Sequence, residues 1–214
     1  MAQLIKTYYE NKQLKNIYFE NDEKIEGEYK DYYNNGQIYK ICNYIDGKIE
    51  GICREYYYNG GLFSTCNYID GKIDGEYREY HNNGQLRKIF NYSNGEVNGE
   101  FREYYDNRQL KLRKTFNLIN GRIEGEYREY HYNRQLYKIC IYINGKREGE
   151  YKSYNNNGQL NVICNYIDGR IDGEYKEYFN NGQLKKVCNY IDGKKEGEYK
   201  QYYCDGRRLY IDEK

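Results

Sequence analysis

Seven cysteines are the residues of this sequence most able to carry chemistry, because thiolates bind soft metals and form disulfides. Five of them share one position in a pattern that repeats along the chain, and copies of that position should lie about 10 Å apart, beyond the reach of a disulfide. No Cys-x-x-Cys pair or nearby histidine completes a zinc site. We therefore expect no metal and interpret the five, with Cys53, as small core residues, whereas Cys204 beside the final turn should be exposed. The five are Cys42, Cys66, Cys140, Cys164 and Cys188.

The two histidines, His81 and His131, are the next candidates for chemistry. They occupy equivalent positions two repeats apart and should stand about 20 Å from each other, which excludes a dyad. Each should face a leucine across its hairpin (Leu86 and Leu136). That environment fits a half-buried substitute for an aromatic residue better than a general base. No serine lies in a nucleophile elbow, and no glycine turn precedes a helix that could bind phosphate. We predict a non-enzymatic protein with no catalytic residue and no cofactor.

These positions recur because the chain is built from a repeat. A glycine that opens Gly-Glu-Tyr or a variant returns at steps of 24 residues, with one step of 26 that places two extra residues near Lys111 and Leu112. We predict a single array over residues 1–214, of about eight repeats. The repeat glycines are Gly27, Gly51, Gly75, Gly99, Gly125, Gly149, Gly173 and Gly197.

Two turn signals divide most repeats, as at Asn35-Gly36 and Asp46-Gly47. Asn-Gly and Asp-Gly tolerate the positive φ angles of a two-residue type I′ hairpin turn, so an unbroken antiparallel meander is predicted. With no helical segment to cover it, the fold should be all-β, a single-layer hairpin array that is elongated, twisted and curled.

Turn placement also predicts the register, in which large side chains lie beside small ones, glycines included, and fill one face without voids. Acid–lysine pairs recur on that face as Glu79–Lys88, Glu103–Lys114 and Glu129–Lys138, while Glu55 opposite Ser64 breaks the rule. The predicted pairs in the first repeats are Tyr33–Ile38, Asp31–Lys40, Tyr29–Cys42, Gly27–Tyr44, Tyr44–Ile49 and Cys42–Gly51.

The opposite face carries a tyrosine that never changes, with rungs about 10 Å apart. Tyrosine offers a rigid amphipathic surface that recurs in binding hot spots, so this ladder is our candidate partner-binding site. The alternative is that each tyrosine merely covers its Ile41-type neighbour. The ladder consists of Tyr32, Tyr56, Tyr80, Tyr104, Tyr130, Tyr154, Tyr178 and Tyr202.

Residues 101–136 interrupt the regularity and form a second candidate region. There Arg108 and Arg134 replace turn glycines, and Phe116 and Leu118 depart from the cysteine and tyrosine of other repeats. The break indicates a kink or a partner site, or else neutral drift.

Composition limits the classes of partner. The chain has 32 Tyr, no Pro and no Trp, and its 34 basic residues are balanced by 33 acidic ones. We therefore expect no nucleic-acid partner, and the charge balance gives no electrostatic reason to expect an anionic membrane as partner. The sequence lacks a long apolar run or the apolar core of a signal peptide, and we expect a cytoplasmic protein.

The motif "YxDGKxxGEYxxYYxNGQL" resembles the MORN repeat, in particular the divergent variant of tandem bacterial antitoxin-like and giant-virus proteins. The Asx-Gly-Lys turn, the Gly-x-Tyr that follows and the second Asn-Gly carry the resemblance, from about Leu4 to Tyr210. Tyrosine stands where the better-studied pattern often has tryptophan. Abundant Asn, Ile, Lys and Tyr suggest an A/T-rich genome such as that of a giant virus.

The resemblance implies a non-catalytic scaffold for protein–protein interaction. Two alternatives stay open: an antitoxin-like inhibitor of one enzyme, or a peripheral lipid-surface binder. Unpaired edge strands also predict self-association through sheet ends or side by side, since only Arg207, Arg208 and the final Asp-Glu-Lys blunt them.

Overall fold

The computed structural model describes residues 2–106 and 110–212, in which every regular element is a β-strand and none is a helix. The prediction of an all-β antiparallel hairpin array is confirmed. Contacts divide the chain into unit 1, Met1–Leu110, and unit 2, Lys111–Lys214. Whether the repeats act as one array stays a prediction.

Unit 1 is a meander in which each strand pairs antiparallel with the next. Asp74 interrupts one strand of the meander, so β7 and β8 both pair with β6. The strands are β1 (Gln3–Tyr8), β2 (Leu14–Asn21), β3 (Lys24–Tyr32), β4 (Ile38–Ile45), β5 (Lys48–Tyr56), β6 (Leu62–Ile69), β7 (Lys72–Ile73), β8 (Gly75–Tyr80), β9 (Leu86–Ser93) and β10 (Glu96–Tyr104).

Unit 2 repeats the same meander, and Asp172 interrupts the strand equivalent to the one that Asp74 breaks. Its strands are β11 (Leu112–Ile119), β12 (Arg122–Tyr130), β13 (Leu136–Ile143), β14 (Lys146–Tyr154), β15 (Leu160–Ile167), β16 (Arg170–Ile171), β17 (Gly173–Tyr178), β18 (Leu184–Ile191), β19 (Lys194–Tyr202) and β20 (Arg208–Asp212).

The Asp46-Gly47 turn has the predicted type I′ geometry, with φ of 53° and 77°. Its neighbour one repeat earlier holds it in place, because the Asp46 amide donates to Glu26 Oε2 at 2.8 Å and the Gly47 amide to the Ile25 carbonyl at 3.1 Å. Lys24 also pairs with Asp46 at 2.5 Å. The turns at Gly71, Gly95, Gly145, Gly169 and Gly193 make the same amide bond, so most turns of this type are supported by the preceding repeat.

The Asn35-Gly36 turn differs from the prediction. Its loop has three residues, since the Tyr33 amide donates to the Gln37 carbonyl at 2.7 Å and the Gly36 amide to the Tyr33 carbonyl at 2.9 Å. Only Gly36 takes a positive φ, of 84°, as in a type I turn closed by a glycine bulge. The predicted Tyr33–Ile38 pair is thus wrong, and Ile38 pairs with Tyr32.

The repeat glycine has a different role from the predicted one. Gly51, Ile52 and Cys53 together oppose the single residue Cys42 in a bulge, so the Cys42–Gly51 pair is wrong. Gly51 has a φ of 77°, and a Cβ built there would meet nothing within 4 Å. Glycine is required because L side chains rarely adopt this backbone conformation, and packing space is not the reason.

Beyond the bulge the register agrees with the prediction: Gly27–Tyr44, Tyr29–Cys42, Asp31–Lys40 and Tyr44–Ile49 all pair. The face that contains these pairs, called here the core face, holds the buried residues. Cysteines and tyrosines alternate along it in rows, and an acid–lysine row runs beside them. Its most buried members are Cys42, Cys53, Cys66, Tyr127, Cys140, Cys164, Cys188, Ser64, Glu79, Glu103 and Ser153.

Candidate interaction surface

The candidate tyrosines are the last residues of their strands, and each is half-buried. They lie on the face opposite the core face, called here the tyrosine face, because their strand neighbours alternate with core residues. Unit 1 carries Tyr32, Tyr56, Tyr80 and Tyr104; unit 2 carries Tyr130, Tyr154, Tyr178 and Tyr202.

Charges on the tyrosine face are neutralised within single strands. An acid and a base two residues apart precede most of the tyrosines and form an ion pair, as Arg78 and Glu76 do at 2.6 Å. The tyrosine face therefore offers phenol rings among paired charges. The equivalent pairs are Lys30–Glu28, Arg102–Glu100, Arg128–Glu126, Lys152–Glu150, Lys176–Glu174 and Lys200–Glu198.

Isoleucines add apolar area to the same face. One precedes the type I′ turn in most repeats, and each is about half exposed, from 48% for Ile143 to 58% for Ile191. This row was not among the predicted site residues, although its period is visible in the sequence. Its members are Ile45, Ile69, Ile119, Ile143, Ile167 and Ile191.

In unit 2 the tyrosine face contains a groove of about 500 Å³. Tyr178 lines it beside Leu160 and Ile163, with the Lys176–Glu174 pair at its margin. Asn165, Asp172 and Glu150 also line it, and a surface that mixes apolar and polar groups in this way is the kind that binds a protein side chain.

In unit 1, a side chain of the preceding repeat donates a hydrogen bond to the backbone carbonyl of each ladder tyrosine. Tyr33 Oη donates to the Tyr56 carbonyl at 2.7 Å, and Tyr9 and Tyr57 make the same bond to Tyr32 and Tyr80, both at 2.6 Å. We call this bond the inter-repeat staple. Sequence reasoning missed it because the donor and acceptor lie 23 residues apart.

The staple explains both histidines. His81 Nε2 lies 3.3 Å from the Tyr104 carbonyl and His131 Nε2 lies 2.8 Å from the Tyr154 carbonyl. A carbonyl oxygen accepts, so each Nε2 carries the proton and replaces a phenol as donor. The aromatic-substitute interpretation is compatible with this role, but the predicted facing leucine is wrong, because Leu86 and Leu136 pair with Tyr80 and Tyr130.

The asparagines of the three-residue loops form a second tie between repeats. Asn35 Oδ1 accepts the Gln37 amide at 3.0 Å, and its Nδ2 donates to the Tyr58 carbonyl of the next loop at 3.0 Å. These two bonds account for the Asn-Gly-Gln order. The asparagine side chain must accept a hydrogen bond within its own turn and donate one to the loop of the next repeat. Asn157 and Asn181 do the same in unit 2.

On the core face, the Cys42, Cys53 and Cys66 thiols lie in one row, since Cys53 pairs with Cys66 and packs against Cys42. Hydrogen bonds from the flanking thiols lower the pKa of Cys53, and the same bonds raise the pKa values of Cys42 and Cys66. Cys53 thus lies between two of the repeat positions that were expected to be about 10 Å apart. All seven cysteines are free, and Cys204 is exposed as predicted. Within residues 2–106 and 110–212 no group of acids, cysteines or histidines could hold a metal ion.

Besides Asn120 in its type I′ turn, Leu110 and Arg134 of the irregular segment take positive φ angles, of 46° and 73°. Arg134 closes its three-residue loop where the equivalent Gly158 has a φ of 81°. Arg108 lies outside the described residues. The two extra residues of the sequence fall where unit 2 begins, at Lys111.

The repeated hairpin, its two turns and its bulge glycine define a class of repeat protein. A family model described as the MORN repeat variant matches residues 25–46, 49–70, 73–94, 147–168 and 171–192, just over half of the chain. The chain belongs to this family, as its sequence indicated. The matches omit residues 95–146, which include most of the irregular segment. Repeats of this family generally mediate protein or membrane interactions and are generally not catalytic.

Comparisons with individual proteins add little. No curated protein matches the chain. One chain of a crystal structure of the GtfA/B complex bound to UDP and GlcNAc is 12% identical with a TM-score of 0.23, covering 54% of this chain and 22% of that one. A chain of the TcdB2-TccC3-Cdc42 structure is 15% identical with a TM-score of 0.25, covering 93% and 13%. This chain spans less than a quarter of either, and neither likeness carries a functional argument.

The described part of the chain also contains no helix that could cross a membrane.

Proposed function

We propose that this protein is a non-catalytic scaffold that binds a protein partner through its tyrosine face. The observation that carries the proposal is the ladder itself: eight half-buried tyrosines at equivalent strand ends. Such side chains contribute large contact area and lose little conformational entropy on binding.

Two further observations support a protein partner. Most charges beside the ladder are already paired with one another, so they add little net charge that could attract an anionic lipid or nucleic acid. The half-exposed isoleucines add an apolar row, and exposed apolar rows of this kind mark interaction sites.

Replacing ladder tyrosines tests the proposal. A variant with Tyr80→Ser, Tyr154→Ser and Tyr178→Ser should lose partners that the native chain captures from lysate of its source cells. The matched control replaces Tyr58 and Tyr132, which are 56% exposed but lie in loops outside the ladder. Circular dichroism should show that both variants remain folded.

Quantitative mass spectrometry of the captured proteins then decides. Loss of the same partner from the ladder variant, with retention by the control, supports the scaffold. Equal capture by the native chain and the ladder variant would contradict it, and capture of anionic vesicles in place of any protein would favour a lipid-binding role.

A further inference from the structure

One position on the core face is aliphatic throughout unit 1 and in part of unit 2. It lies two residues after the type I′ turn and pairs with a core tyrosine, as Ile49 does with Tyr44. Arg147 and Lys195 depart from this rule in unit 2; Lys195 is exposed, whereas Arg147 is half-buried. The aliphatic members are Ile25, Ile49, Ile73, Val97, Ile123 and Ile171.

Tyrosines hold the Arg147 guanidinium in a fixed orientation. Its Nε donates to Tyr142 Oη at 3.1 Å and its Nη1 donates to Tyr166 Oη at 3.1 Å. The guanidinium carbon lies 5.5 Å and 5.3 Å from the ring centres of Tyr151 and Tyr166. A guanidinium has five N–H donors, and the described chain accepts two of them.

Other half-buried cations of the core face have a carboxylate partner. Lys138 pairs with Glu129 at 2.9 Å, and Lys186 pairs with Glu177 at 3.1 Å. In unit 1, Lys88 pairs with Glu79 at 3.3 Å. No carboxylate of the described residues lies within the 4 Å ion-pair distance of Arg147. A half-buried charge without a counter-ion is costly where the other repeats use isoleucine or valine.

We propose that Arg147, with the hydroxyl groups of Tyr142 and Tyr166, binds a carboxylate side chain of a protein partner that covers this part of the core face. The three free N–H groups match the two oxygens of a carboxylate. The inference extends the proposed function by a second surface on the opposite side of the sheet.

The charge around Arg147 favours a carboxylate over a phosphate. Arg147 supplies one positive charge, and the nearby Lys138 is already neutralised by Glu129. A phosphate dianion would need a second unpaired cation. A protein partner is favoured over a free acid, because an isolated ion pair on an open face gains little unless a larger surface excludes water from it.

Peptide selection tests the assignment while the natural partner is still unidentified. A random twelve-residue peptide library displayed on phage is panned against the full chain, and bound peptides are eluted by competition with acetate. The selected peptides should contain Asp or Glu. Their affinity should fall by about tenfold or more when that acid is changed to Asn or Gln, and by a similar factor for Arg147→Ile.

Arg147→Ile restores the residue of the other repeats, so it should fold at least as well as the native chain. Lys195→Ile is the matched control, because it removes a cation from the equivalent position and should change the affinity less than about twofold. The acid-to-amide peptide and Arg147→Ile together should lose little more than either alone, which is the signature of a direct pair.

Three outcomes would overturn the assignment: peptides without acidic residues, affinity unchanged by Arg147→Ile, or displacement by inorganic phosphate at lower concentration than by acetate. The outcome is separable from that of the scaffold proposal. Loss of captured partners on tyrosine-face substitution, with peptide binding insensitive to Arg147→Ile, would leave the scaffold supported and remove this site alone.

Discussion

Units 1 and 2 share one repeat but tie their repeats together differently. In unit 1, Tyr9, Tyr33, Tyr57 and His81 each bond the backbone of the next repeat. In the described part of unit 2, His131 alone keeps this bond. Two later positions of unit 2 lack it.

Those two positions are Asn155 and Phe179. The Nδ2 of Asn155 is buried without a hydrogen-bond partner, and Phe179 has no donor. Unit 2 nevertheless forms the same strands in the same register. The staple therefore adds stability to a fold that the turns and the core face already specify.

A non-glycine residue at positive φ closes a three-residue loop in both units, Lys12 in unit 1 and Arg134 in unit 2. The departure specific to unit 2 is Arg147, which places a half-buried cation among core tyrosines where unit 1 has isoleucine or valine. Surfaces that bind partners commonly carry such local costs, and a ligand for Arg147 would offset this one.

The largest expected effect comes from the buried tyrosines of the core face, which both units share. Tyr127→Ala in unit 2 and Tyr77→Ala in unit 1 should each lower the free energy of unfolding by about 3 kcal/mol, because both remove a ring from the core face. Urea denaturation measures the change. Tyr132→Ala, at a ring 56% exposed, should cost less than about 0.5 kcal/mol. A small effect at Tyr77 alone would show that the units have different cores.

Exchanging the staple between units tests how they differ. Tyr57→Phe should lower the free energy of unfolding by about 1.5 kcal/mol, since the Tyr80 carbonyl loses its donor. Phe179→Tyr should raise it by about 1 kcal/mol by giving the Tyr202 carbonyl a donor. Hydrogen exchange of the following repeat localises each change. If Phe179→Tyr left exchange near Tyr202 unaltered, the staple would not account for the contrast.

Removing the backbone strain at Arg134 should change stability slightly less than the staple substitutions do. Arg134→Gly should raise the melting temperature, because glycine removes a left-handed strain of about 1 kcal/mol. The reverse change at the equivalent loop of the next repeat, Gly158→Arg, should lower stability by a similar amount. Equal melting temperatures for the native chain and both variants would mean that the loop relaxes freely.

The smallest expected effect concerns pH. Burial alone would raise the pKa of Glu129, but the hydrogen bond and charge of Lys138 lower it. The stabilisation is present above the ordinary glutamate pKa of 4.5 and is lost as the pH falls through the lower folded-state value. Glu129→Gln should remove about 0.5 kcal/mol at neutral pH and flatten the acid side of the stability profile. An unchanged acid profile would assign that pH dependence to other carboxylates.

Much of the fold could be predicted from the sequence because its signals are local. Asp46-Gly47 adopts the expected turn, and the period-two alternation places Tyr29, Cys42 and Tyr44 on one face. The Asn35-Gly36 turn was predicted one residue too short, because the sequence does not show that Asn35 caps its own loop and leaves positive φ to glycine.

Less of the candidate sites could be predicted. The tyrosine ladder is visible as a repeat, whereas the Arg147 cluster brings together residues from three strands. Nothing in the sequence near Arg147 indicates that Tyr142 and Tyr166 would orient it, or that no acid would reach it.

The sequence by itself determined the repeat, the alternation of the two faces and the β-strand character of the described elements, because these follow from short-range backbone preferences and from period. Only the tertiary structure decided the bulge at Gly51, the staples and the lone Arg147 guanidinium. Those depend on which atoms of successive hairpins meet. A bulge changes that alignment after the turns have set it, and the spacing of residues along the chain does not report it.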